Sequence, residues 1–280
     1  MIIAISNQKG GVGKTTTAIN LSTALALKSS GKVLLVDFDP QANTTSGVGV
    51  AKTELNTSVY DFICSDVGEE AILKTAIPNL FLLPSTIGLC GAEIELIESE
   101  EREFRLKNKI AIISSQYEHI IIDTPPSLGI LTINALVASE RVIIPIQCEY
   151  YALEGLVDFL GTLNLIRDRL NPSLDILGIL LTMADYRTNI ARDVEEEIRN
   201  NFKDQVFHTV IHRNVRLAEA PSHGLPIELY DSKSAGAMLY RELVDELLLR
   251  VGGVYGKEER IRQGDISAYS GEESQGFQPL

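Results

Sequence analysis

Residues 9–16 read Lys-Gly-Gly-Val-Gly-Lys-Thr-Thr, and no other stretch of the 280-residue chain limits its fold so narrowly. The apolar run Ile2-Ile3-Ala4-Ile5 before it suits a buried strand, and the segment from Thr17 to Leu25 suits a helix with one packed face. A glycine-rich turn between strand and helix presents unpaired backbone N–H groups and the positive end of a helix dipole, so it wraps phosphate oxygens closely. Gly10, Gly11 and Gly13 permit the approach around Val12. Lys14 is placed to neutralise the β- and γ-phosphates, the Thr15 hydroxyl to ligate Mg²⁺, and Thr16 to add a contact to the α-phosphate. Lys9, at the start of the loop, is the unusual element.

Two further segments supply carboxylates. Lys32 to Gln41 is an apolar strand ending in Asp37 and Asp39, and His119 to Pro126 is another ending in Asp123. Ligands of open parallel sheets bind beyond the carboxyl ends of the strands. Asp123 is expected to hold Mg²⁺ through a water, as the acidic residue of a Walker B strand does. Asp37 and Asp39, two apart where a strand is ending, are both expected to reach the metal and the water facing the γ-phosphate.

These motifs resemble the ParA/Soj family of deviant Walker A ATPases, relatives of MinD. The matching residues are Lys9 to Thr16, Asp37-Phe38-Asp39-Pro40-Gln41, Ile122 to Gly129, Leu181 to Asn189 and Arg213 to Gly224, over about residues 1–250. The last two stretches point to the partition branch rather than to MinD. The resemblance implies an ATP- and Mg²⁺-dependent sandwich homodimer in which Lys9 crosses to the partner's phosphates and Asp39 positions the attacking water. It also implies nonspecific binding to double-stranded DNA, hydrolysis stimulated by a ParB/Spo0J-like centromere-binding protein, and chromosome or plasmid partition. Adenine-side residues on this basis are Met183, Asn214 and Pro221, and the DNA-facing cations are Arg187, Arg192, Arg213, Arg216 and Lys233. Two departures bear on DNA: His212 stands where a proline is common, and Ser234-Ala235-Gly236 lacks an arginine often found there.

Strands are expected over 2–6, 33–37, 80–84, 119–123, 141–146 and 176–182, with a short one near 206–208. Helices are expected over 15–29, 57–65, 105–116, 152–170, 190–201 and 235–250. This alternation predicts an α/β fold, a single P-loop NTPase domain over 1–251 with a mostly parallel central sheet covered by helices on both faces. Residues 252–280 lack apolar periodicity and are read as a flexible tail. The Ser/Thr-rich first helix is expected to use small residues to pack closely on the sheet.

A net charge of −13 means that any DNA contact is local. Much of the acid falls in Glu93 to Glu103 and Asp193 to Glu197, read as amphipathic helices with solvated faces, the other use being to dock a basic partner segment. Cys64, Cys90 and Cys148 stand far apart and are expected to be buried thiols, with no disulfide framework or cluster site. No run approaches a membrane span and Met1 leads into the first strand without a basic leader, so the expected location is the cytoplasm, at the nucleoid. His208, His212 and His223 fit no metal-ligand spacing. A membrane-bound MinD-like ATPase would carry a basic amphipathic C-terminal helix, an iron–sulfur carrier would carry paired cysteines, and a bacterial tyrosine kinase would end in a tyrosine cluster. A DNA-binding regulator without activity would carry an added helix-turn-helix. None of these marks stands in the sequence.

Overall fold

In a computed structural model of the protein, the structure is described for residues 1–252. Eight strands, β1 (Ile2–Ile5), β2 (Val33–Asp37), β3 (Leu73–Lys74), β4 (Leu80–Leu83), β5 (His119–Asp123), β6 (Arg141–Gln147), β7 (Asp175–Ala184) and β8 (Ile211–His212), form one sheet. Their spatial order is β3-β4-β2-β5-β1-β6-β7-β8, and every pairing is parallel except β3 with β4. Between them run α1 (Lys14–Lys28), α2 (Asn43–Gly47), α3 (Val59–Cys64), α4 (Leu89–Ile97), α5 (Arg105–Ile113) and α6 (Ile130–Ala138). The series continues with α7 (Ala152–Arg169), α8 (Asn189–Phe202), α9 (Val215–Glu219), α10 (Ile227–Tyr230) and α11 (Ala235–Val251).

The near-continuous apolar runs of β1, β2, β5 and β6 follow from burial on both faces. Because successive side chains alternate, Ile3, Ile5, Val33, Leu35, Ile121 and Ile143 enter one core with α1 and α11. Leu34, Val36, Ile120 and Ile122 face α3 to α6 on the opposite side, and Val142, Ile144 and Ile146 face α6 to α8 there. β1 ends between β5 and β6, so the chain leaves the sheet at its centre, where the strand order reverses.

Pro145 lies in the interior of central β6, a position where a missing donor usually breaks a ladder. The β1 ladder reaches only to Ile143, whose carbonyl accepts from Ser6. Pro145 therefore faces the space beyond the end of β1, where its carbonyl accepts from Asn7 Nδ2 at 2.8 Å.

Departures from the expected elements have local causes. The strand near 206–208 reduces to a single bridge between Val206 and Ile179, and the last strand is β8. Glu246 of α11 captures the N–H groups of His208 (2.8 Å) and Thr209 (2.9 Å), diverting them from the ladder. Arg250 completes this junction. Its guanidinium pairs with Glu246 at 2.8 Å, donates to the carbonyls of Leu177, Asp204 and Val206, and lies over the Phe207 ring. The acidic segment 93–103 is helical only to Ile97 and then turns, and α5 ends at Ile113 in a 3₁₀ turn. β3, α2, α6, α9 and α10 are additional to the expected set. Cys148 is buried and Cys64 half-buried, but Cys90 is exposed, because it stands on the outer side of α4. Except for Gly252, the expected tail lies outside the described residues.

Candidate active site

The loop from Lys9 to Gly13 leaves the end of β1 and turns into α1 through two left-handed glycines, Gly11 (φ 74°) and Gly13 (φ 88°), conformations that a side chain disfavours. No side chain caps α1, so the first-turn N–H groups stay available to an anion. Lys14 is buried and folds back over the loop, its Nζ donating to the Lys9 carbonyl at 2.8 Å. Burial holds its ammonium below the usual lysine range, against the opposing charges of Asp123 and Asp39. Lys9 is exposed, and its Nζ reaches the Tyr151 carbonyl at 3.4 Å.

Groups outside the motif brace the loop. Asn7 Oδ1 accepts from the Lys9 N–H at 3.0 Å, and the Thr182 hydroxyl lies 2.9 Å from the Val12 carbonyl. These supports escaped sequence reasoning because single Asn and Thr residues carry no pattern until the strands place them.

Ladder register sets Asp37 directly beside Asp123 at the ends of β2 and β5. Asp123 Oδ2 accepts from the hydroxyls of Thr15 (2.8 Å) and Thr44 (2.7 Å), while its Oδ1 is buried with no hydrogen-bond partner. Burial, with the Asp39 charge adding to it, raises the Asp123 carboxyl to about 6. Asp37 has both oxygens occupied. Oδ2 accepts from the Thr45 N–H (2.7 Å) and hydroxyl (2.6 Å), and Oδ1 from the Asp39 N–H (3.3 Å). Burial first, and then the charge of Asp123, push the Asp37 carboxyl to about 7. Asp37 thus ties Thr45 of α2 and the Asp39 N–H to the end of β2. Asp39 keeps one oxygen free: its Oδ1 accepts from the Gln41 N–H at 2.9 Å.

An unpartnered buried carboxylate oxygen beside a threonine hydroxyl fits Mg²⁺, which takes few protein oxygens and keeps several waters. Asp123 and Thr15 are the residues that would hold it.

Met183 ends β7 in a left-handed conformation (φ 51°), and its Cε would lie 3.7 Å from a Cβ placed on Gly13, so it borders the loop. Asn214 is spent on capping α9, accepting from the N–H groups of Arg216 and Leu217. Pro221 lies in the exposed 3₁₀ turn that follows. The five expected DNA cations are all exposed. Arg187 chelates Asp185 through Nε (2.7 Å) and Nη2 (2.5 Å), Arg192 donates to the Tyr186 carbonyl, and the charge of Arg213 acts on Asp185. Arg216 pairs with Glu219 (3.1 Å) and Asp231 (3.7 Å), and the Lys233 N–H donates to Asp231.

A family model described as an AAA domain matches residues 1–176. The sporulation initiation inhibitor protein Soj of Bacillus subtilis is 55% identical over 247 residues, which is 88% of this chain and 97% of that protein. The chain belongs to the ParA/Soj family. Another member, the chromosome-partitioning ATPase Soj of Treponema pallidum, is 49% identical over 88% of this chain and 96% of its own length. Among solved structures, a cobyrinic acid a,c-diamide synthase from Mycobacterium smegmatis with bound ADP and magnesium superposes with a TM-score of 0.79 at 37% identity, covering 91% of this chain and 96% of that one. Together with the loop geometry, this makes the chain a P-loop ATPase that uses ATP and Mg²⁺.

Proposed function

We propose that this ATPase drives chromosome or plasmid partition: two ATP-bound chains pair face to face, bind duplex DNA regardless of sequence, and release it when a ParB/Spo0J-like partner stimulates hydrolysis. The observation that carries this reading is the separation of the two lysines. Lys14 is buried over its own loop, whereas Lys9 is exposed and its ammonium makes, among the described residues, one long contact to the Tyr151 carbonyl. A second cation facing outward from a phosphate loop supports delivery of its charge to a second chain's nucleotide. Lys14 and the incoming Lys9 stabilise charge that grows on the transferring phosphoryl group. Asp39, with an oxygen not engaged by the described residues, and Asp37 orient the attacking water. Bound Mg²⁺, held by Asp123 and Thr15, neutralises phosphate charge. Met183, Asn214 and Pro221 are assigned to the adenine side.

Arg187, Arg192, Arg213, Arg216 and Lys233 are assigned to DNA phosphates, a surface that pairing doubles. Among the described residues no helix is long and apolar enough to cross a membrane, and action at the nucleoid in the cytoplasm is part of the proposal. So is the division into an ATPase domain over 1–251 and a tail from 252. Light scattering with a nonhydrolysable ATP analogue tests the pairing. The wild-type chain should double in mass, Lys9→Ala should bind the analogue yet stay monomeric, and Lys14→Ala should fail to bind it. A normal dimer from Lys9→Ala would overturn the reading.

A further inference from the structure

Asn7 stands just past β1, two residues before Lys9, and is only 4% exposed. A buried amide needs partners for its donor and for its acceptor. Asn7 has one for each: Nδ2 donates to the Pro145 carbonyl at 2.8 Å, and Oδ1 accepts from the Lys9 N–H at 3.0 Å. The second bond is an Asx turn, in which an asparagine side chain fixes the backbone two residues on. The first ties that turn to β6. Beyond the turn the Lys9 stem runs along the start of α7, its Cδ 3.9 Å from a Cβ placed on Gly155, and its Nζ reaches the Tyr151 carbonyl at 3.4 Å. Backbone and tip of Lys9 are therefore both referred to β6 and the segment that follows it. The phosphate-facing limb of the loop has a different support, the Thr182 hydroxyl of β7, 2.9 Å from the Val12 carbonyl.

We infer that Asn7 is a positioning residue for Lys9: it fixes the backbone from which this side chain projects, and so serves the joining of two ATP-bound chains rather than the holding of ATP. The inference rests on the proposed delivery of Lys9 to a second chain's nucleotide. A lysine loses much rotamer freedom when its ammonium is placed on a phosphate. A backbone free to swing at Lys9 would add to that loss, and the turn made by Asn7 removes this part before the chains meet. The carbonyl side of the same residue is held by Lys14 Nζ at 2.8 Å, an ammonium assigned to the phosphates, so the N–H side is the hold that does not compete with nucleotide. Neither bond of Asn7 uses an N–H between Gly10 and Thr16, the groups that face phosphate.

The test compares Asn7→Ala, Asn7→Ser and Lys9→Ala with the wild type in the full chain. Each is measured for its affinity for a fluorescent nonhydrolysable ATP analogue, for its pairing constant with that analogue by sedimentation, and for phosphate release from ATP. Asn7→Ala should bind the analogue as the wild type does and pair roughly tenfold more weakly, the factor that loss of a buried hydrogen bond brings. Its turnover should fall in parallel. Asn7→Ser should recover most of the pairing, because a serine hydroxyl also accepts from the N–H two residues on, although it is too short to hold Pro145 as well. Unchanged circular dichroism verifies the fold. Loss of analogue affinity in Asn7→Ala would make the residue a support of the phosphate loop and overturn the inference. Pairing no better with serine than with alanine would place the effect on Pro145 and overturn it too. The serine variant decides even where alanine does not fold, since pairing as weak as that of Lys9→Ala would count against the inference. Wild-type pairing by Asn7→Ala beside a defective Lys9→Ala would remove the positioning role alone, whereas normal pairing by Lys9→Ala would remove the proposed delivery of Lys9 and this inference with it.

Discussion

Two carboxylates, Asp37 and Asp123, stand side by side at the end of the sheet, and their burial first, then their repulsion, makes stability depend on pH. The Asp37 carboxyl lies at about 7 in the folded protein, against about 3.9 in an unfolded chain. Between those values the folded state holds a proton that the unfolded state has lost, so stability falls as pH rises. The contribution is complete below about 4 and is lost as pH passes through 7. Without nucleotide or metal, the protein should therefore gain roughly 4 kcal/mol from this group on acidification from pH 8 to pH 4. Asp37→Asn should flatten the slope in denaturant titrations run at several pH values, and an unchanged slope would assign it elsewhere. Asp39 differs in having an oxygen to spare, so Asp39→Ala should bind ATP normally and lose about 100-fold in turnover, measured as phosphate release. Sequence alone placed both aspartates at a strand end but could not show that their hydrogen bonds differ. What distinguishes them is Thr45, eight residues beyond Asp37 and without any pattern of its own.

At the scale of elements, α2 is held by two adjacent threonines pinned to two strands: Thr44 to Asp123 at 2.7 Å and Thr45 to Asp37 at 2.6 Å. The Thr45 hydroxyl also accepts from the Ser85 N–H at 2.9 Å, joining the segment after β2 to the segment after β4. Thr45→Val would keep the volume and leave that buried N–H and part of Asp37 unsatisfied. It should cost about 1–3 kcal/mol in urea unfolding without nucleotide, and Thr45→Ser should restore most of the loss. Such a short helix was not legible in the sequence, because five residues give no helical period and its stabilisation is entirely tertiary. The long elements were legible for the opposite reason. β1, β2 and β5 are apolar on both faces, and α7 and α8 carry one packed side over many turns. β8 was misplaced to 206–208 because Val206 and Phe207 have strand composition, while the group that removes the next two donors from the ladder, Glu246, lies some forty residues later in the chain.

For the whole molecule, the proposed binding of DNA sets five exposed cations against a net charge of −13. Arg187 and Arg216 reach phosphate only by leaving Asp185, Glu219 and Asp231, exposed pairs that hold them weakly. The affinity of the ATP-bound protein for arbitrary duplex DNA should fall steeply with salt, and Arg213→Glu should weaken it without changing basal hydrolysis. Each lost phosphate contact should lower the log–log slope by about 0.9, read from gel shifts across a salt series. An ATP-bound wild-type protein that ignores DNA at low salt would contradict the assignment. A different consequence follows from how two distant helices of the chain meet. α1, which carries the phosphate loop, packs between the sheet and α11, the Thr17 hydroxyl lying 3.3 Å from that of Tyr240, 223 residues later. During synthesis at about 5–20 residues per second, the loop emerges early and waits on the order of ten seconds or longer for its cover. A chain terminated before α11 thus displays the phosphate-loop sequence without the packing that makes it a site, and the capacity to hold ATP marks a polypeptide whose synthesis has passed α11.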